Sequence, residues 1–190
     1  VGLVLYKMEL YDFALQSFHE SLRIRCNLLG PDHRDVAVVL YNIATIHFEI
    51  GEEEEAMYFY VETLRVEKAA LGETHNDVIL TMQHLGQVHQ QRGELSEALE
   101  YYQQAYDAQT QNCCMSDAEG ADFDHRALAL TLNHMGNVYL QRGQVKEMVA
   151  ALSASLRHFH LAGKGEDELF VSGFNFYALS KQHPECSAAA

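Results

Sequence analysis

Residues 35–72 read DVAVVLYNIATIHFEIGEEEEAMYFYVETLRVEKAALG, and two apolar stripes at helical spacing, parted by one glycine, decide the fold. Leu40, Ile43, Ala44 and His47 recur at steps of three, one and three, which is one face of an α-helix and predicts a helix from Asp35 to Glu49. Gly51 ends it, because glycine accepts the left-handed backbone at a helix C-terminus. The acidic run Glu52 to Glu55 suits the positive end of the next helix dipole. That second helix is predicted from about Glu53 to Ala70, with Ala56, Met57, Tyr60 and Leu64 turned inward and Gly72 marking its end.

The same pair of helices returns along the chain. Ala44 belongs to a column of small residues, Gly2, Ala44, Gly86, Gly136 and Ala178, separated by 42, 42, 50 and 42 positions. Glu9, Gly51, Gly93 and Gly143 form a second column, Ala14, Ala56, Ala98 and Met148 a third, and Phe18, Tyr60, Tyr102 and Leu152 a fourth. A fixed period of this length is the signature of stacked repeats. The expected organisation is one array over 1–190: a partial repeat 1–34, repeats 35–77, 78–125 (with an insertion at 112–125) and 126–166, a partial terminal helix 167–183, and a tail 184–190. Half repeats at both ends predict further helices beyond them.

Composition agrees. A chain of 190 residues with 48% hydrophobic content buries a sizeable core without disulfides, and two prolines amid abundant Ala, Leu, Glu and Gln favour long helices over strands. The fold class is therefore all-α. A net charge of −14 opposes binding to nucleic acid or to an anionic membrane surface. No run of about 18 apolar residues is present. The four cysteines form no C-x-x-C pair, which speaks against zinc and for a reducing, cytoplasmic setting.

The columns resemble the tetratricopeptide repeat, and more closely its 42-residue form in kinesin light chains. Gly136 with Tyr139, Gly143, and Ala98 with Tyr102 match the family's small, aromatic, turn-glycine and helix B slots. Leu29-Gly30-Pro31-Asp32-His33 and Leu71-Gly72-Glu73-Thr74-His75 are similar to the light-chain loop between repeats, and Leu132-Asn133 to its helix A pair. His47 and His89 replace the aromatic of helix A, Met148 replaces alanine, and Thr63 and Ser155 stand where alanine packs, changes expected to loosen packing without changing the fold. The resemblance implies an α-solenoid, a right-handed superhelix of antiparallel helix pairs with a concave face lined by helix A.

On each helix A the stripe offset from the core is expected to line that groove. It comprises Val38, Tyr41, Thr45 and Phe48, then Leu80, Gln83, Gln87 and Gln90, then Leu130, Asn133, Asn137 and Leu140, then Ser172, Asn175, Leu179 and Gln182, flanked by Asn42, His84 and His134. Side-chain amides both donate and accept, so such a ladder suits the backbone of an extended or partly helical peptide, with Tyr41, Phe48, Leu80 and Leu130 as apolar anchors. The same residues also fit a plain solvated face of high helix propensity. Kinesin light chains favour acidic cargo through basic groove residues, whereas only Lys7, Arg92, Arg142 and Lys181 lie near this stripe, so an acidic ligand is not expected.

The remaining motifs point to no catalytic, metal or cofactor site. His84 and His89 lack H-E-x-x-H spacing, and the insertion's Asp117, Glu119, Asp122 and Asp124 fit no calcium loop. Cys113 and Cys114 have no basic neighbour to activate a thiolate. The predicted function is a non-catalytic scaffold that binds a peptide segment of a client protein. The alternative is a structural or regulatory spacer joined to an effector domain, such as an ATPase, whose partners meet its acidic outer face. Phe170, Phe174, Phe176 and Tyr177 predict that the last helix is covered by further repeats or by self-association.

Overall fold

The computed structural model of the chain describes residues 1–115, with side chains through 111, and residues 124–162. Most of the insertion, the terminal helix at 167–183, Asn175 and the four aromatic residues at 170–177 lie outside the described residues. Among those described, every regular element is an α-helix. Two compact units divide the chain, one over Val1–Gly93 and the other from Glu94 onward. The first holds α1 (Gly2–Lys7), α2 (Tyr11–Leu29), α3 (Arg34–Glu49), α4 (Glu53–Leu71) and α5 (Asn76–Gln91); the second holds α6 (Leu95–Met115), α7 (His125–Gln141) and α8 (Val145–Leu161).

Helix ends follow the columns read from the sequence. Gly51 has a φ of 82°, and the N–H of Glu52 reaches back to the carbonyl of His47 at 2.9 Å, closing α3 with a Schellman turn. Glu9 occupies the same column without being glycine, and it adopts the same backbone at a φ of 60° while Leu10 N–H bonds the Leu5 carbonyl at 3.0 Å. The repeat geometry therefore overrides the intrinsic cost of that conformation. The loops ending in His33 and His75 start the following helices: each imidazole Nδ1 accepts the N–H two residues on, of Asp35 and Asp77, at 3.1 Å. These histidines do the work usually given to Ser or Asp at an N-cap.

Within each unit helices pack on their sequence neighbours, α1 on α2 through α4 on α5, and α6 on α7 on α8. Ala14, Phe18, Val39, Ile43 and Ile46 form a core in the first unit; Ala98, Tyr102, Met135 and Val138 form one in the second. Tyr60 and Tyr102 are fully buried, a burial worth roughly 2–3 kcal/mol each. The small column marks where helices touch, since a Cβ on Gly136 would stand 2.6 Å from Leu152 Cδ2 and one on Gly2 would stand 3.0 Å from the Phe18 ring.

The departures from the repeat pattern are absorbed in specific ways. His47 fills the aromatic slot, stacked on Phe59 at 5.5 Å with Nδ1 2.6 Å from Glu52 Oε2, whereas His89 is only half-buried. Thr63 and Ser155 are enclosed, their hydroxyls donating to the carbonyls of Phe59 at 2.8 Å and Ala129 at 2.7 Å. Bonded hydroxyls and a buried Met148 fill the space that the alanine pattern leaves.

Candidate peptide-binding face

In the first unit, α3 and α5 present the predicted stripe. Val38 and Leu80 are 47% and 44% exposed, and Tyr41, Thr45, Phe48, Gln83, Gln87 and Gln90 are half-exposed. In the second unit α7 carries Leu130 and Leu140, 38% and 40% exposed, beside half-exposed Asn133 and Asn137. The aliphatic position Val38, Leu80, Leu130 thus stays solvent-facing at one register in three A helices.

Other members of the stripe have part of their bonding capacity committed. Asn42 donates to the Val38 carbonyl of its own helix at 2.5 Å. The Thr45 hydroxyl donates to the Tyr41 carbonyl at 2.9 Å and lies 3.1 Å from Tyr60 Oη. His84 belongs to an aromatic cluster: its ring stacks on Tyr60 at 5.3 Å, meets Tyr41 edge-on at 5.5 Å and Phe48 at 6.5 Å, and its Nε2 shares a 2.8 Å hydrogen bond with Tyr41 Oη. His134 repeats that stack on Tyr102 at 5.3 Å, and burial pulls its basicity down. Asn133 differs, because its buried Oδ1 accepts no hydrogen bond among the described residues.

The site also contains residues that sequence reasoning missed. A cavity of about 190 Å³ opens between α3, α4 and α5, lined by Val38, Tyr41, Glu67, Asp77 and Leu80. Glu67 is 5% exposed, and its Oε2 accepts from the Thr81 hydroxyl at 2.7 Å. Burial first, and the Asp77 charge less strongly, push its carboxyl up to about 7, against the pull of the Thr81 hydrogen bond. Burial, with Glu67 and Asp77 adding to it, raises the Tyr41 phenol to about 12. Glu67 was legible in principle, as an acid continuing the inward run Ala56, Tyr60, Thr63; the partnership with Asp77 was not.

The tetratricopeptide repeat profile matches residues 1–69 and 58–111, more than half of the chain. This chain is a tetratricopeptide repeat protein. The repeat protein matches no curated protein in sequence. Its fold is similar to that of BtubC (BKLC) from P. vanneervenii, at 18% identity and a TM-score of 0.75 over 87% of this chain and 63% of that one. It is similar also to a putative kinesin light chain with nearly identical TPR-like repeats from Podosopora anserina, at 16% identity and a TM-score of 0.75 over 98% and 87% of the two chains. The apo form of RapI gives a TM-score of 0.81 at 10% identity, over 97% of this chain and 47% of RapI. The chain therefore spans under two thirds of BtubC and of RapI. As a tetratricopeptide repeat protein it is an interaction scaffold, from a family that is generally non-catalytic. No helix among the described residues is long and apolar enough to cross a membrane.

Proposed function

We propose that this chain is a non-catalytic, cytoplasmic scaffold of kinesin light chain-like repeats, organised as the single array its period suggests, that receives an extended segment of a client protein along its A helices. The client is a protein or peptide; neither nucleic acid nor a membrane suits a chain of net charge −14. The observation that carries the reading is the repeated exposure of an aliphatic side chain at one register, Val38, Leu80 and Leu130, beside amides that accept and donate. Half-exposed Asn133 and Asn137 add amide groups of the kind that donate to and accept from a peptide backbone.

The spacer reading draws support from another face of α4, where Tyr58 and Val61, 63% and 43% exposed, lie with Met57, Glu54, Glu62 and Arg92 around an open depression. The deciding experiment is a pull-down with Gln87→Ala, Asn133→Ala and Asn137→Ala combined, with helicity followed by circular dichroism. Lost partners with unchanged helicity support the groove. Partners that persist, yet are lost on Tyr58→Ser with Val61→Ser, overturn it in favour of the spacer.

A further inference from the structure

The stripe predicted from sequence is neutral, whereas the cavity that opens in it carries two carboxylates. Glu67 comes from α4 and Asp77 from the first turn of α5, and Tyr41 of α3 forms part of the same wall. We propose that this cavity is a subsite for one basic side chain, a lysine or arginine, of the client segment. The inference rests on the peptide-binding reading and specifies one position of the bound peptide.

Size and lining fit that occupant. At about 190 Å³ the cavity falls below the roughly 300–1,000 Å³ of clefts that take whole small molecules. It matches a single long side chain. Val38 and Leu80 offer apolar surface to the methylenes of such a side chain, while the Tyr41 ring and the two carboxylates offer partners to its charged end.

Charge argues the same way. Of the Glu67 oxygens, Oε2 is taken by Thr81, and Oε1 has no hydrogen-bond partner among the described residues. Asp77 has His75 Nδ1 at 3.6 Å, already accepting the Asp77 N–H. No Lys or Arg among the described residues pairs with either carboxylate: Arg65 is spent on Asp32 and Glu62, and Lys68 lies by Glu73. The groups that face Glu67 are Tyr41 from α3 and Asp77 and Thr81 from α5, so nothing there supplies positive charge. A cation brought by a ligand would.

The scaffold itself does not require the acid. One period on, Gln109 of α6 takes the place of Glu67 and accepts from Thr131 of α7 at 2.9 Å in the same buried manner. In the sequence, the positions one period on from Val38, Tyr41, Asp77 and Leu80 are Leu80, Gln83, Ala127 and Leu130, none of them an acid. One period back, Arg25 stands in the Glu67 column and donates to the Asp35 carbonyl at 2.8 Å. The column keeps its place in the repeat while its charge changes freely, so the paired carboxylates are a feature of this one cavity.

Random dodecapeptides displayed on phage are selected against the 190-residue chain, and a selected peptide is measured by fluorescence anisotropy against the parent, Glu67→Gln and Asp77→Asn. We expect lysine or arginine fixed at one position. Its replacement by norleucine, or either protein change, should weaken binding at least tenfold, the peptide and Glu67→Gln changes together costing little more than one alone. Because the cation favours the ionised carboxyl, affinity for the parent should rise from pH 6 to pH 8 and stay level for Glu67→Gln. Helicity is held constant in Glu67→Gln, since Gln109 already fills that role. Peptides that bind the A-helix stripe, losing affinity on Leu80→Ser, but carry no fixed basic position or ignore Glu67→Gln, overturn the subsite and leave the peptide-binding reading standing. Peptides indifferent to Leu80→Ser, or no enrichment at all, overturn both.

Discussion

Thr81 of α5 donates to Glu67 of α4 at 2.7 Å, and Thr131 of α7 donates to Gln109 of α6 at 2.9 Å; both bonds are buried and occupy equivalent places in successive repeats. One acceptor is an acid and the other an amide. Between these two repeats the position takes an acceptor oxygen of either charge, while Arg25 one repeat earlier and the buried Phe159 one repeat later hold the same column without one. Beneath both lies the same support, a buried helix B tyrosine with a helix A histidine stacked on it, Tyr60 with His84 and Tyr102 with His134.

The largest expected effect tests that shared support. Tyr60→Ala and Tyr102→Ala should each cost about 3–5 kcal/mol in urea unfolding, the range for emptying a buried aromatic site. A cost for one several times that for the other breaks the equivalence.

The next concerns the acid itself. Burial holds the Glu67 carboxyl at about 7 in the folded protein against 4.5 for a glutamate free in water, so the folded state prefers the protonated form. Its stabilising contribution is therefore complete below pH 4.5 and lost as pH rises through 7. Glu67→Gln should be close to neutral at pH 5 and should stabilise at pH 8 by up to about 3 kcal/mol; Gln109→Glu should do the reverse, both read from urea midpoints. A stability difference between parent and Glu67→Gln that is the same at both pH values sinks this account.

Removing the donors sharpens the contrast. Thr81→Val and Thr131→Val should each cost ~1–2 kcal/mol by stranding a buried acceptor. The first penalty should grow above pH 7, because an ionised acceptor loses more than a neutral one, and the second should stay flat.

The smallest effect lies on the acid side of the second unit. Burial lowers the basicity of His134, and burial followed by the charges of His125 and Arg157 lowers that of His158, whose Nδ1 lies 3.0 Å from Nδ1 of His125. Their stabilisation is present above the ordinary histidine value of about 6.5 and falls away as pH drops below it. Backbone hydrogen exchange should accordingly report α7 and α8 loosening between pH 6.5 and 5 while the Glu67 site in the first unit gains. Movement of both in one direction contradicts the sign of one of these shifts.

Much of the fold was legible because its determinants are local. The periodicity from Leu40 to His47 and the stop at Gly51 predicted a helix over 35–49, one residue short of the observed start at Arg34. The predicted helix over 53–70 ends one residue further on, at Leu71. Even Glu9, an unpromising residue for a left-handed turn, was placed in the correct column by the period alone. The candidate site was less legible. Val38, Leu80, Asn133 and Asn137 are at least partly exposed as their register predicted, but Asn42 and Thr45 hydrogen-bond to their own helix and His84 joins an aromatic cluster. Register tells which way a side chain leaves a helix, and says nothing of the neighbours it then meets.

From sequence alone came the repeat, its helices, their turns and the small residues at their crossings, because each follows from spacing along one chain segment and from backbone preferences of single residues. Tertiary structure decided which polar groups were spent and which were kept. Glu67 and Asp77 lie on successive helices and line one cavity with Tyr41 only because α3, α4 and α5 pack as they do. Burial in that packing, rather than anything in the glutamate itself, lifts its carboxyl to about 7.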